Sequence, residues 1–347
     1  MIQFDSIKIK ELAVHQVGNK ILDEGIEFSV KLADIEDENL LNLIKRYFLS
    51  SFSGNEMYNL HNSVGLEQNE IYAIANRIFT ENDVFFDQTK LIAQHLYENS
   101  NHPKIKNGEL YISYFEDVVY EDELVNAIGI FKSETKENYI KSNIKSKTNI
   151  ISYDEGTNVN KLDKGCIILN VDKESGYRVC IIDNLGKNNE TVYWKDNFLS
   201  VKTINNNFHQ TNQFLGITKQ FVTKQLDEDF DVSKTDKIDF LNRSVDYFKK
   251  NETFDKQEFE EQVFGDSNVI ESFRKFNQTY SQENEVELSD NFEISAQAVK
   301  KQARVFKSVL KLDKNFHIYI HGNREMIEQG IDENGRKYYK IYYEEET

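Results

Sequence analysis

Leu110-Tyr111-Ile112-Ser113-Tyr114-Phe115 and Ala127-Ile128-Gly129-Ile130-Phe131 are the two stretches that decide the fold class. Each is a short, largely apolar run, and such runs bounded by turn residues indicate β-strands. The acidic segment Tyr120-Glu121-Asp122-Glu123 stands between them as a turn. The pattern therefore predicts two strands of one sheet.

The next two apolar runs each contain one of the chain's two cysteines. They are Gly165-Cys166-Ile167-Ile168-Leu169 and Arg178-Val179-Cys180-Ile181-Ile182-Asp183, joined by the hairpin loop Asp172-Lys173-Glu174-Ser175-Gly176. We expect neighbouring strands with buried free thiols, since no Cys-x-x-Cys pair points to a zinc or redox site. The polar residues 134–162 predict an irregular connection or an outer strand.

The N-terminal region predicts strands and then helices. Residues 1–32 alternate in places with a period of two, and Asp37 is placed to cap a helix with apolar residues at helical spacing, namely Leu40, Leu41, Ile44, Phe48 and Phe52. Two further amphipathic stretches lie near 67–79 and 84–98. The only proline, Pro103, marks the break after them.

From about residue 195 the pattern becomes helical. Asp255 with Glu258 three residues later is a capping-box pattern, and Gly265 is placed to end that helix. Two strand-like runs, 316–321 and 337–343, close the chain. The fold class is therefore predicted to be α+β, with an N-terminal domain at 1–200 that contains an antiparallel sheet and a mainly helical domain at 201–347 that ends in strands.

Charge limits the partners that the chain can attract. Its 347 residues carry a formal charge of −17, so long-range attraction to DNA is absent and any contact with phosphates needs a local basic patch. The opening residues lack a signal-peptide pattern, and no apolar run is long enough to span a bilayer. We therefore expect a cytoplasmic protein without a membrane partner.

The segment Val299–Lys311 is the strongest basic feature. A continuous helix would place Lys300, Arg304, Lys307 and Lys311 on one face, with Lys301 beside them. Such a row predicts contact with DNA phosphates, while an ordinary solvated helix face is the competing interpretation. A helix that stopped near Phe306 and became a strand would scatter the row.

A second basic run and an aromatic edge are weaker candidates. The run lies in the polar connection and comprises Lys136, Lys141, Lys145 and Lys147. Tyr139 could stack on a base there, although a solvated loop is the simpler interpretation. The tyrosine-rich end of the chain, at 338–343, predicts either a dimer contact or packing within one domain.

Neither a metal site nor a cofactor site is predicted. His317 and His321 share one face of a strand, but about 13 Å separates positions four apart in a strand, too far for one ion. Asp117 or Asp122 followed by Glu134-Thr135-Lys136 faintly resembles the metal-binding residues of restriction-type nucleases. That pattern arises easily by chance, so we predict no catalytic residue and no enzyme activity.

Several segments, taken in order, resemble the NdpA nucleoid-associated family of bacterial proteins. They are Ile9–Val17, Leu40–Phe48, Gly108–Phe115, Phe214–Gly216 and the stretch from Phe306 to Ile318. The resemblance implies a non-enzymatic protein of the bacterial nucleoid, and the family offers no catalytic residues to transfer.

Three hypotheses follow from these observations. The first is weak DNA binding without strong sequence specificity through the basic row, reinforced by a homodimer. The second is an acidic interaction module that reaches the nucleoid through a DNA-processing partner such as a topoisomerase. The third, more remote, is a metal-dependent nuclease.

Overall fold

The computed structural model divides the chain into two compact units, Met1–Ile204 and Asn205–Thr347. The structure describes residues 2–52, 56–145, 148–185, 193–284, 286–304, 306, 309–312, 316–320 and 326–345. Both units mix helices with antiparallel strands, so the predicted α+β class is confirmed. No helix among the described residues is long and apolar enough to span a membrane.

The described residues of unit 1 contain the strands β1 Ile2–Gln3, β2 Lys8–Val17, β3 Ile26–Glu27, β4 Tyr58–Leu60, β5 Gly108–Tyr120, β6 Glu123–Ser133, β9 Lys164–Leu169, β10 Arg178–Asp183 and β11 Val201–Thr203. These nine strands form one antiparallel sheet with the order β11-β4-β10-β9-β6-β5-β2-β3, and β1 pairs with β5. A separate pair, β7 Lys136–Lys145 and β8 Thr148–Thr157, forms its own two-stranded sheet. The helices are α1 Glu38–Leu49, α2 Glu70–Thr80 and α3 Phe85–Asn99, and a π-helical segment spans Tyr193–Leu199.

The central strands of this sheet are buried on both faces. Ile128 and Ile130 of β6 pack with α2 and α3 on one face, while Phe131 packs with α1 on the other. Phe48 of α1 stacks on Phe131 with ring centroids 4.2 Å apart. Burial on both sides explains why these strands are continuous apolar runs rather than alternating ones.

The predicted strands and cap of unit 1 are largely confirmed. The two cysteine-containing strands pair as β9 and β10, and both thiols are free and buried. The Asp37 side chain accepts hydrogen bonds from the first turn of α1. At the loop between β9 and β10, Gly176 has a φ of +96°, a backbone conformation that favours glycine.

Two predictions for unit 1 are wrong. The alternation within residues 1–32 predicts a strand that continues to residue 32, but β3 is limited to Ile26–Glu27 at the edge of the sheet, and Val30 beyond it is 92% exposed. The connection at 134–162 is neither irregular nor a single outer strand. It forms the β7–β8 hairpin, whose ten paired positions run from Lys136 opposite Thr157 to Lys145 opposite Thr148.

Unit 2 is mainly helical around a phenylalanine-rich core. Its helices are α4 Asn207–Gln220, α5 Leu226–Asp229, α6 Lys234–Lys250, α7 Lys256–Val263, α8 Ser267–Glu283 and α9 Ala296–Ala303. Its strands pair as β12 Thr253–Asp255 with β13 Asn291–Glu293, β14 Val309–Leu312 with β15 Phe316–Tyr319, and β16 Ile327–Ile331 with β17 Lys337–Ile341. Phe214 lies at the centre of the core, within aromatic contact of Phe248, Phe254, Phe259 and Phe273.

Local signals placed one helix of unit 2 accurately. Asp255 caps α7 by accepting a hydrogen bond from the Glu258 amide at 2.9 Å. Gly265 follows the end of that helix with a φ of +68°, as a helix-terminating glycine should.

Candidate nucleic-acid interface

Helix α9 carries the most basic part of the sequence but is short. The Ser295 side chain caps its first turn, Ala298 and Val299 are buried, and the helix ends at Ala303. Arg304 is the C-terminal cap residue, and the chain then forms β14, where Leu310 packs with Ile238 in a small apolar cluster.

Of the two alternatives that the sequence left open, the structure has the second, in which the helix stops before Phe306, a strand follows and the row of four cations is scattered. Lys311 lies in β14, whose pairing with β15 outweighs the helical spacing of the sequence. Lys300, Lys301 and Arg304 stay together at the C-terminal end of α9, where all three are exposed. Lys307 lies outside the described residues, as does the side chain of Lys311.

The end of α9 borders a groove that the sequence did not predict. Its volume is about 520 Å³, and its apolar lining comes from Phe248, Ile294, Ala296, Val299 and Ala303. Lys249, Lys300 and Arg304 also line it, together with Asn251 and Glu252. We call Lys249, Lys300 and Arg304 the basic patch. Helix α6 contributes Lys249 to the basic patch, and the pair Lys249-Lys250 at its end is the feature of the sequence that points to this contribution.

The basic patch carries three cations against one described carboxylate, Glu252, that lines the same groove. None of its three side chains forms an ion pair with a described carboxylate. Several other cations of unit 2 are paired, among them Lys237 with Asp227, Lys256 with Asp290 and Arg274 with Glu260. Lys301 stands over the Phe208 ring, 5.4 Å from its centroid. Among the described residues, no ion pair has to break before these three exposed cations accept an anion at the groove.

The second basic run is partly neutralised. Lys136 pairs with Glu109, and Lys141 pairs with Asp154 at 2.6 Å. Lys147 lies outside the described residues, as does the side chain of Lys145. Two of the four candidate lysines thus have a carboxylate within the unit, which reduces their attraction for phosphate.

The residues of the nuclease hypothesis each have a separate role. Asp117 pairs with Lys8 at 2.8 Å, Lys136 pairs with Glu109, and Asp122 occupies the β5–β6 turn with a positive φ. The described residues contain no group of three or more histidine, cysteine, aspartate or glutamate side chains able to hold a metal ion. His317 is exposed on β15, and His321 lies outside the described residues.

Glu134 belongs to a buried polar cluster at the ends of β6, β9 and β10. One carboxylate oxygen accepts a hydrogen bond from the Tyr193 hydroxyl at 2.9 Å and lies 3.4 Å from the Lys132 ammonium. The other accepts from the Lys106 amide at 3.3 Å. Burial lowers the pKa of Lys132, with Glu134 opposing, and burial raises the pKa of Tyr193 well above its ordinary value.

A second buried lysine completes this cluster. The Lys164 ammonium donates to Asp183 at 2.6 Å and faces the Tyr193 ring. Asp163 accepts hydrogen bonds from the amides of Glu134 and Thr135 at 2.8 and 2.7 Å. These contacts join the ends of β6, β9 and β10 to the start of the β7–β8 hairpin at Thr135. Glu134 therefore has a structural role.

Comparison with known proteins gives the chain its family. Residues 13–337 match the family described as nucleoid-associated protein YejK, and no curated protein matches the chain. The resemblance to NdpA proteins that the sequence predicted is confirmed. Because the match spans nearly the whole chain, this protein belongs to the YejK/NdpA family of nucleoid-associated proteins.

Proposed function

We propose that the protein acts in the nucleoid by binding, without catalysis, and that the basic patch contacts DNA phosphates. The observation that carries the proposal is the grouping of Lys249, Lys300 and Arg304 at one groove without an ion pair to a described carboxylate. Lys301 extends the patch along α9. Lys307 and Lys311 follow in sequence and stay candidate contacts.

The expected binding is weak and insensitive to base sequence. Phosphate contacts position a protein on DNA but carry no sequence information. If each cation of the basic patch neutralises one phosphate, log K falls with log salt with a slope of about −2.7. A dimer that presents two patches to one duplex would approximately double that slope.

The apolar lining of the groove distinguishes the basic patch from an ordinary helix end that contacts only solvent. Lysines in the last turn of a helix ordinarily stabilise its C-terminus by about 0.3–1 kcal/mol, and Lys249 and Lys300 have that role too. A test of DNA contact must therefore measure binding and stability separately.

Fluorescence anisotropy of a labelled duplex at low salt tests the proposal. The variant Lys300→Glu/Arg304→Glu should lose binding at least tenfold. The control Lys224→Glu/Lys234→Glu changes the charge of the same unit equally, at exposed lysines away from the groove. Equal loss in both variants would show that total charge matters and the patch does not. Thermal unfolding of both variants shows whether either has lost structure.

Recruitment by a DNA-processing protein, such as a topoisomerase, is the second candidate function. The formal charge of −17 favours it, because an acidic surface associates rapidly with a partner's basic surface. This alternative predicts no duplex binding at low salt, and salt-sensitive retention of the protein on an immobilised basic partner. Duplex binding that depends on the basic patch would contradict it.

A further inference from the structure

The groove beside the basic patch has an apolar lining that contacts with DNA phosphates do not use. Its volume is about 520 Å³. Ligand sites of this size combine a mainly apolar lining with a few polar groups that orient the ligand. Phosphate contacts need only the cations at the groove. The apolar lining therefore indicates a second kind of ligand, beyond the proposed function.

One stripe of helix α9 forms a wall of the groove. Ala296, Val299 and Ala303 recur along it at spacings of three and four, and Lys300 and Arg304 directly follow the last two of them. The eight residues of α9 give this wall a length of about 12 Å. About four residues of an extended peptide cover that length, since each adds about 3.3 Å.

The end of helix α6 and the residue Ile294 supply the rest of the lining. Phe248 of α6 is only 2% exposed, whereas Ile294 is half-buried. Lys249 of α6 is exposed, so cations of both helices border the apolar residues. Glu252 is the one carboxylate among the described lining residues. A ligand that fills this groove must therefore carry apolar groups next to negative charges.

We propose that the groove binds a short acidic segment of a partner protein. One or two large apolar side chains of that segment enter the lining, and its carboxylates pair with the basic patch. Charge complementarity singles out this occupant. The chain has 59 acidic residues against 42 lysines and arginines, so a groove with three cations and one carboxylate is a local exception. A basic or neutral segment would leave these cations without a counterion.

The small contact area sets the expected strength. About four residues bury much less than the roughly 800 Å² that each partner contributes to a standard interface, so we expect a dissociation constant on the order of tens of micromolar. Carboxylates and DNA phosphates would use the same cations, so the segment should displace duplex DNA. Only this competition rests on the proposed function, since the docking itself does not involve DNA.

Fluorescence anisotropy of a labelled peptide, titrated with the full chain, tests the proposal. The probe has two phenylalanines flanked on each side by two aspartates. It should bind saturably to the wild type. Replacing its phenylalanines by serines, or its aspartates by asparagines, should weaken binding by about tenfold, because each change removes one half of the complementarity.

A variant of the lining separates the peptide from DNA. Ile294→Thr/Ala296→Ser makes the lining less apolar and leaves every charge in place, so it should bind the peptide about fivefold more weakly and the duplex as the wild type does. The matched control is Ile331→Thr/Ile341→Thr, at isoleucines that are 66% and 46% exposed and do not line the groove. This control should bind the peptide as the wild type does. Thermal unfolding shows whether either variant has lost structure.

Three outcomes would overturn the proposal. They are no saturable binding of the peptide at protein concentrations up to about 1 mM, equal binding of the serine-substituted peptide, and unchanged peptide binding by Ile294→Thr/Ala296→Ser. If a labelled single strand of thymidines loses affinity in that variant and the peptide does not bind, the groove takes a nucleotide base and not a peptide. Peptide binding without duplex binding would support this proposal and contradict the proposed function, and duplex binding without peptide binding would do the reverse.

Discussion

Replacing Glu134 with alanine should strongly destabilise unit 1, because it removes the counterion of a buried lysine. The Lys132 side chain is fully buried, and that of Glu134 is 3% exposed. Breaking a buried ion pair from one side costs about 3–5 kcal/mol, since the remaining charge stays without compensation. The Tyr193 hydroxyl also loses its acceptor, which is worth about 1–3 kcal/mol and overlaps with the first cost. We expect a total loss of about 4 kcal/mol in the free energy of unfolding.

Urea unfolding followed by tryptophan fluorescence measures this change directly. Trp194 is the only tryptophan, is buried in unit 1 and follows Tyr193 in sequence, so its emission reports on this unit. The exposed carboxylate of Glu155 provides the control, and Glu155→Ala should change stability by less than about 0.5 kcal/mol.

A double variant separates the charge from the packing. Lys132→Met/Glu134→Leu replaces both charges by apolar groups and should recover most of the stability lost in Glu134→Ala. A loss below about 1 kcal/mol in Glu134→Ala would refute the reasoning. So would a double variant that is as unstable as the single one, because the penalty would then not come from the uncompensated lysine.

Three further predictions concern unit 1. Burial lowers the pKa of His15 and of His95, so the unfolded chain binds protons more readily than the folded chain does. The contribution of these neutral histidines to the free energy of unfolding is therefore complete above pH 6.5 and is lost as the pH falls through the folded pKa values. The loss is at most about 1.4 kcal/mol per pH unit for each histidine. A thermal melting temperature that stays constant from pH 7.5 to 5 would contradict this prediction. Phe48→Ala removes a fully buried ring that stacks on Phe131, so the free energy of unfolding measured in urea should fall by about 3–5 kcal/mol. A decrease under about 1 kcal/mol would contradict that packing. Gly176→Ala should lower the melting temperature, because the φ of Gly176 is +96° and an added Cβ would lie 2.0 Å from the Leu60 carbonyl oxygen. An unchanged melting temperature would contradict this geometry.

Features that depend on local sequence were predictable. The strands around Cys166 and Cys180 are short apolar runs bounded by turn residues, and they pair as expected. The caps at Asp37 and Asp255 also follow from local chemistry, since a side-chain oxygen there satisfies free amides of the first helical turn.

Features set by distant contacts were not predictable. The sequence left open whether 299–311 is one helix or a helix followed by a strand, because local spacing does not show that Leu310 packs with Ile238, which is distant in sequence. Glu134 and Tyr193 are 59 residues apart, so their hydrogen bond leaves no local pattern. The groove at the basic patch likewise needs Lys249 of α6 beside Lys300 of α9, a pairing that only the tertiary structure provides.

The salt dependence of duplex binding tests the central claim most directly. The wild type should bind with a slope of log K against log salt of about −2.7 or steeper for each patch engaged. In Lys249→Gln/Lys300→Gln/Arg304→Gln, the slope should be less negative by about 2.7 for each patch, and binding at low salt should be much weaker. An unchanged slope in that variant, or no binding by the wild type at the lowest salt, would contradict direct contact through the basic patch.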